Sequence, residues 1–157
     1  MQRIAILGST GSIGENTLKV VSQYPSRFKV VALTAYSDFK RLAEQVKQYK
    51  PTYVADSKEY LEDFKKLGIK GIKLFPAEAC SDIAADPIVD TVVLAMRGAG
   101  ALMPFLAAVR AGKRVAAAGQ DAADHDGPGA DVDPGSGAVR AARRGACAWD
   151  GDVTNAD

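Results

Sequence analysis

Histidine and cysteine are scarce in this chain. Among 157 residues there is one histidine, His125, and two cysteines, Cys80 and Cys147, which form no CxxC pair. A His/Cys metal cage therefore lacks ligands. Long apolar runs are missing too: no stretch approaches the ~18–20 residues that span a bilayer. Met1 leads into a strand-like run with no signal-peptide pattern, so a reducing, cytoplasmic setting is expected and no membrane partner. Charge of one sign is also absent. Twenty Lys and Arg stand against 19 Asp and Glu, a net charge of +1, and nothing points to nucleic acid. What remains is 47% hydrophobic and 25% charged, an ordinary globular composition. The length suits one domain with one core, and is short for a two-domain enzyme.

The near-neutral charge is a cancellation. Residues 1–118 carry 17 basic and 11 acidic side chains, whereas residues 119–157 carry 3 and 8. The second segment holds 7 of the 15 glycines and no Leu, Ile, Phe, Met or Lys. Its large apolar residues are Val132, Val139, Val153 and Trp149, too few to offset the entropy of ordering it. Residues 1–118 are expected to form the folded domain. Residues 119–157 are expected to form a poorly ordered Gly/Ala/Asp-rich tail.

Within the first segment, short apolar runs alternate with amphipathic stretches. Strands are expected at Arg3–Leu7, Phe28–Ala35, Thr52–Ala55, Ile72–Phe75, Asp90–Ala95 and Arg114–Ala118. Helices are expected at Ser12–Tyr24, from Asp38 to Tyr49, from Ser57 to a stop at Gly68, weakly at Pro76–Ala85, and at Ala101–Ala111. This alternation implies parallel strands joined by crossover helices, hence an α/β fold with a Rossmann-like, doubly wound parallel sheet.

The sharpest local signal is Gly8-Ser9-Thr10-Gly11-Ser12-Ile13-Gly14, directly after the first strand and at the start of the first helix. In that context a GxxGxxG run is a dinucleotide fingerprint. Gly8 permits a tight exit from the strand, Gly11 removes a side chain that would block a pyrophosphate, and Gly14 lets helix and sheet approach. The helix start supplies unpaired N–H groups and a positive dipole end. Ser9, Thr10 and Ser12 are expected to add hydroxyl donors. After the second strand the chain reads Tyr36-Ser37-Asp38-Phe39-Lys40-Arg41. Ser37, Lys40 and Arg41 suit a ribose 2′-phosphate, which favours NADP over NAD. Asp38 opposes one unless it caps the following helix, the favoured reading. Arg97-Gly98-Ala99-Gly100 follows the fifth strand on the ligand side; Arg97 is either near a phosphate or solvated. Glu15 reads as a solvated helix residue, Lys113 and Arg114 as an exposed turn, and His125 has no acid or nucleophile partner.

RIAILGSTGSIGENTLKVV, FKVVALTA, RLAEQVKQYKP and DTVVLAMRGAGALMPFLAAVRAGKRVA together resemble the amino-terminal part of the 1-deoxy-D-xylulose 5-phosphate reductoisomerases, over residues 1–118. The resemblance implies an NADPH-binding Rossmann domain of an oxidoreductase in isoprenoid precursor synthesis. In the complete enzyme it implies Mg²⁺ or Mn²⁺, a phosphorylated sugar substrate, further catalytic and helical domains, and a homodimer. It assigns cofactor contacts to Thr10, Gly11, Ser12 and Ile13 within the Gly8–Gly14 loop, and to the loop Tyr36-Ser37-Asp38, which in the family reads Gly-Lys/Ser-Asn. Two departures follow. The family's Ala-Asn-Lys-Glu is here Ala118-Gly119-Gln120-Asp121. Its metal-binding Asp-Ser-Glu-His has as nearest counterpart Asp152-Val153-Thr154-Asn155. No catalytic residue and no metal ligand is therefore assigned, and the chain alone is expected to be inactive. Two alternatives stand beside this reading. One is another Rossmann reductase, of the dihydrodipicolinate-reductase kind. The other is a non-catalytic dinucleotide-binding or interaction module using the apolar helix Ala101–Ala111.

Overall fold

The computed structural model of the chain describes residues 1–117 and two short strands beyond them, at 129–132 and 139–142. The six expected strands are present as β1 (Gln2–Leu7), β2 (Phe28–Thr34), β3 (Tyr53–Asp56), β4 (Lys73–Pro76), β5 (Thr91–Leu94) and β6 (Arg114–Ala117). Each boundary lies within a residue of the apolar run that marks it. Between them lie α1 (Ser12–Gln23), α2 (Phe39–Tyr49), α3 (Lys58–Lys66), α4 (Cys80–Ala85) and α5 (Leu102–Arg110). Single 3₁₀ turns, Ala77–Ala79 and Gly98–Ala101, lead into α4 and α5. The α2 helix ends where Lys50 turns left-handed (φ 47°), with Pro51 next, a position from which proline cannot continue the helix.

The strands lie in the order β4-β3-β2-β1-β5-β6, all parallel. Two further strands, β7 (Gly129–Val132) and β8 (Val139–Ala142), extend the sheet antiparallel beyond β6. They fall in the segment for which no element was expected. The remaining expectations for residues 118–157 lie outside the described residues.

Alternation along the strands divides the core between two helix layers. Ile4 and Ile6 of β1 join Leu18, Val21, Leu33, Leu42, Val46 and Phe64 beneath α1, α2 and α3. Ala5 and Leu7 join Cys80, Ile83, Val92, Leu94 and Ala108 beneath α4 and α5. A bulge in the β1–β2 ladder, where Ile4 pairs with Val30 but Ala5 with Ala32, leaves Val31 as the extra residue. It resets the alternation, so Val31 and Ala32 share one layer while Val30 and Leu33 share the other. At the opposite edge from the strand tips, Asp90 accepts hydrogen bonds from Arg3 Nε, Nη2 and backbone N–H at 2.8–3.0 Å, tying β1 to the start of β5. These bonds to the Arg3 side chain hold the Asp90 carboxyl at about 2, well below the usual carboxylate range. No helix among the described residues is long and apolar enough to cross a membrane.

Candidate functional site

The sheet order reverses at β1, whose neighbours are β2 on one side and β5 on the other. In open α/β sheets the crevice beyond the carboxyl ends of such strands is where ligands bind. Here that crevice is bordered by the loop from Gly8 to Gly14 and the chain leaving β5 at Ala95.

Gly8 sits at φ 91°, and a Cβ there would meet the Ala95 carbonyl oxygen at 2.8 Å. At Gly14 a Cβ would lie 2.5 Å from both Gly8 O and Ser9 Cα. Both glycines are required by the protein's own packing. Gly11 differs. Its backbone is extended (φ −77°, ψ 167°), and a Cβ would find its nearest neighbour, Gly8 O, at 3.7 Å, ordinary contact. Gly11 is exposed at the N-cap of α1, which no side chain caps. The first turn of α1 therefore keeps N–H groups that no side chain caps, together with the positive end of the helix dipole, as an anion site requires.

The loop is anchored from below by β2 and α2. Thr34, the last residue of β2, accepts the Gly8 N–H at both O and Oγ1 (3.1 Å each) and the Ser9 N–H at O (2.8 Å). Ser9 is fully buried. Its hydroxyl donates to Gln45 Oε1 at 2.7 Å, and Gln45 Nε2 donates back to Ser9 O at 2.9 Å. The expectation of three hydroxyl donors is corrected here: Ser9 faces inward, leaving half-buried Thr10 and exposed Ser12. Ile13 stands in the first turn of α1, its carbonyl taken by Thr17 Oγ1 at 2.9 Å. Sequence reasoning missed Gln45. The available signal was a polar residue on the otherwise apolar stripe Leu42, Ala43 and Val46.

Tyr36, Ser37 and Asp38 are all exposed on the loop between β2 and α2. Asp38 caps α2, its Oδ1 accepting the Arg41 N–H at 3.1 Å, which agrees with the favoured reading of that carboxylate. Arg41 Nε donates to Glu15 Oε1, joining α2 to the first turn of α1. Glu15 is half-buried in this pair, not the solvated residue expected. Asp56, ending β3, is buried, and burial pushes its carboxyl up; its Oδ1 accepts the Ser57 N–H at 2.8 Å, while Oδ2 has no hydrogen-bond partner among the described residues.

Across the crevice, Arg97 and the turn Gly98–Ala101 are mostly exposed, and Leu102 and Met103 at the start of α5 are 57% and 61% exposed. Lys113 is not the exposed turn residue expected. It is half-buried, its Nζ donating to Asp86 O and Val89 O at 2.8 and 2.7 Å. Cys80 is a buried free thiol, pushed up by burial, and packs in the core without the exposure that reactive thiols have. Among the described residues no group of three or more His, Cys, Asp or Glu could hold a metal ion. His125, Cys147, Gly119–Asp121 and Asp152–Asn155 lie outside the described residues.

The parallel sheet, its switch point at β1 and the glycine loop opening α1 define the Rossmann class of α/β proteins. Residues 4–122 match the profile of the 1-deoxy-D-xylulose 5-phosphate reductoisomerases, and the chain belongs to that family. It is 44% identical over 133 residues to the 1-deoxy-D-xylulose 5-phosphate reductoisomerase of Synechococcus sp. (strain JA-2-3B'a(2-13)), covering 82% of this chain and 34% of that one. It superposes on the Zymomonas mobilis enzyme in complex with NADPH with a TM-score of 0.71 and 30% identity, over 77% of this chain and 32% of that one. A DOX-P reductoisomerase in complex with NADPH, fosmidomycin and magnesium gives a TM-score of 0.69 and 36% identity, over 73% and 29%. The chain thus spans about a third of the length of the curated relatives it matches.

Proposed function

We propose that residues 1–118 are the NADPH-binding domain of a 1-deoxy-D-xylulose 5-phosphate reductoisomerase. In this reading the N–H groups and hydroxyls of Thr10, Gly11, Ser12 and Ile13 receive the pyrophosphate. Gly8 and Gly14 shape the loop, and Tyr36, Ser37 and Asp38 border the adenosine ribose. Ser37 and the exposed Lys40 suit a 2′-phosphate. Asp38 contributes by capping α2 and so fixing the loop that carries them. The observation that carries the proposal is Gly11, an exposed glycine with room for a Cβ, at an uncapped helix start directly after β1. Two solved relatives described as holding NADPH support the same cofactor.

Bound NADPH supplies a hydride. The complete enzyme would use it in forming 2-C-methyl-D-erythritol 4-phosphate from 1-deoxy-D-xylulose 5-phosphate, with Mg²⁺ or Mn²⁺ held by residues this chain does not assign. The phosphorylated sugar, a homodimer and a cytoplasmic location belong to the same proposal. By itself the chain binds the cofactor and turns over no substrate, because no reacting constellation is assembled among the described residues. Isothermal titration with NADPH and NADH tests this. Binding that favours NADPH supports the assignment, and heat from neither cofactor refutes it. Metal-dependent turnover by the purified chain would overturn the claim of incompleteness. The exposed Leu102 and Met103 favour one second reading, an interaction module docking a partner on α5. Specific recovery of a partner that Leu102→Ser releases would support it.

A further inference from the structure

We propose that Gln45 is a positioning residue for the phosphate loop: it aims the Thr10 N–H at the ligand by fixing the Ser9–Thr10 peptide plane. The proposal rests on the reading of that loop as the NADPH site. Gln45 is 8% exposed and Ser9 is fully buried, and both ends of the Gln45 amide are engaged by one residue. Only one orientation of the amide satisfies both contacts. A flipped amide would place Oε1 against the Ser9 carbonyl, two acceptors facing each other. In a trans peptide the C=O and the next N–H point in opposite directions. With Ser9 O drawn toward Gln45 Nε2 at 2.9 Å, the Thr10 N–H points away from α2, and it has no acceptor among the described residues. Gly8 and Ser9 are fixed through their N–H groups by Thr34, and Gly14 by close packing. The Ser9–Thr10 plane is the first peptide beyond the part fixed by Thr34, and Gln45 is the side chain bonded to its carbonyl. Arg41, one turn earlier on the same face of α2, grips Glu15. The helix that begins at the Tyr36–Asp38 loop therefore holds the phosphate loop at Ser9 and the first turn of α1 at Glu15.

Gln45→Met, which keeps length and helix propensity, and Gln45→Glu, which puts an acceptor against Ser9 O, test the proposal on the full chain. NADPH affinity is measured where the amide resonances of Ile4–Leu7 show both variants folded. Both are expected to bind NADPH on the order of tenfold more weakly, the scale of one lost buried hydrogen bond. The Thr10 amide resonance is expected to shift before ligand is added. Ser9→Ala keeps the carbonyl acceptor while removing one of the two contacts to the amide, and is expected to weaken binding clearly less than Gln45→Met does. Affinities of the folded variants within twofold of the parent, with Thr10 unmoved, overturn the proposal. So does a Ser9→Ala loss as large as that of Gln45→Met, because the hydroxyl and not the peptide plane would then be responsible. If the parent chain itself binds no NADPH, the cofactor reading falls first and this inference with it.

Discussion

In the loop after β1, a Cβ on Gly8 or Gly14 would meet backbone at 2.8 or 2.5 Å; in the loop after β5, one on Gly98 would meet nothing within 4 Å. The first loop is also hydrogen-bonded to Thr34 and Gln45, whereas Arg97, Leu102 and Met103 around the second are exposed. The two walls of one crevice are thus built differently. The wall assigned to pyrophosphate has its shape dictated by β2, α1, α2 and the Ala95 carbonyl at the exit of β5, and is preorganised before any ligand arrives. Past Ala95 and Met96, the wall after β5 is exposed from Arg97 to Gly100, and a Cβ on Gly98 has open space around it.

The largest expected effect breaks the packed wall. Gly14→Ala forces a Cβ into the backbone of Gly8 and Ser9, where no flexible atom can yield, and is expected to cost about 3 kcal/mol in urea denaturation and to abolish NADPH binding. Gly8→Ala should be comparable, since it adds a left-handed backbone to a clash. Gly11→Ala separates shape from function: stability should stay within about 1 kcal/mol of the parent, while NADPH titration shows binding weakened tenfold or more. Equal loss of both in Gly11→Ala would mean that this glycine is structural after all. On the open wall, Gly98→Ala meets no atom and carries only the strain of φ 73°, so about 1 kcal/mol of stability should be lost by the same denaturation.

Two smaller effects sharpen the contrast. Asp38→Ala removes the α2 cap and should cost about 1 kcal/mol, whereas Asp38→Asn keeps the cap and loses only the charge. The asparagine variant should then gain affinity for NADPH relative to NADH, read by parallel titrations. Away from both walls, Asp90 titrates at about 2 in the folded chain because of its hydrogen bonds to Arg3, against roughly 4 when unfolded. Its folded-state pKa is depressed, so its contribution is present above about pH 4 and lost as pH falls through 2. Asp90→Asn should flatten the acid limb of stability over that window, modestly, because the pair is partly exposed.

Much of the fold was legible because its signals are local. Runs such as RIAIL and DTVVLA sit between Gly, Pro and polar residues, and strands buried on both faces need little else. The glycine loop was legible for the same reason: seven consecutive residues carry it. What escaped depends on partners distant in sequence. Nothing in GSTGSIG says that Ser9 faces inward, because its partner, Gln45, lies on another helix; Glu15 likewise looks solvated until α2 brings Arg41 beside it. The bulge at Val31 has no composition signal, since VVAL reads equally well in either register. The strands Gly129–Val132 and Val139–Ala142 are four residues each with one valine apiece as the large apolar residue, and neither pattern nor composition marks them.

The position of β1 has a consequence for how the chain assembles. β1, the earliest in sequence of the described strands, lies in the middle of the sheet, with Phe28 and its neighbours on one side and Thr91 on the other. The β1–β2 ladder can zip as soon as α1 has crossed over, but β1 keeps an unpaired edge, apolar on both faces, until β5 has been made. Contacts so far apart in sequence slow folding and lengthen the life of such an edge. For this fold, the interval between synthesis of Leu7 and Leu94 is when self-association competes with the native sheet. Charged or bulky substitutions in β5 would therefore lower the yield of folded chain as well as its stability.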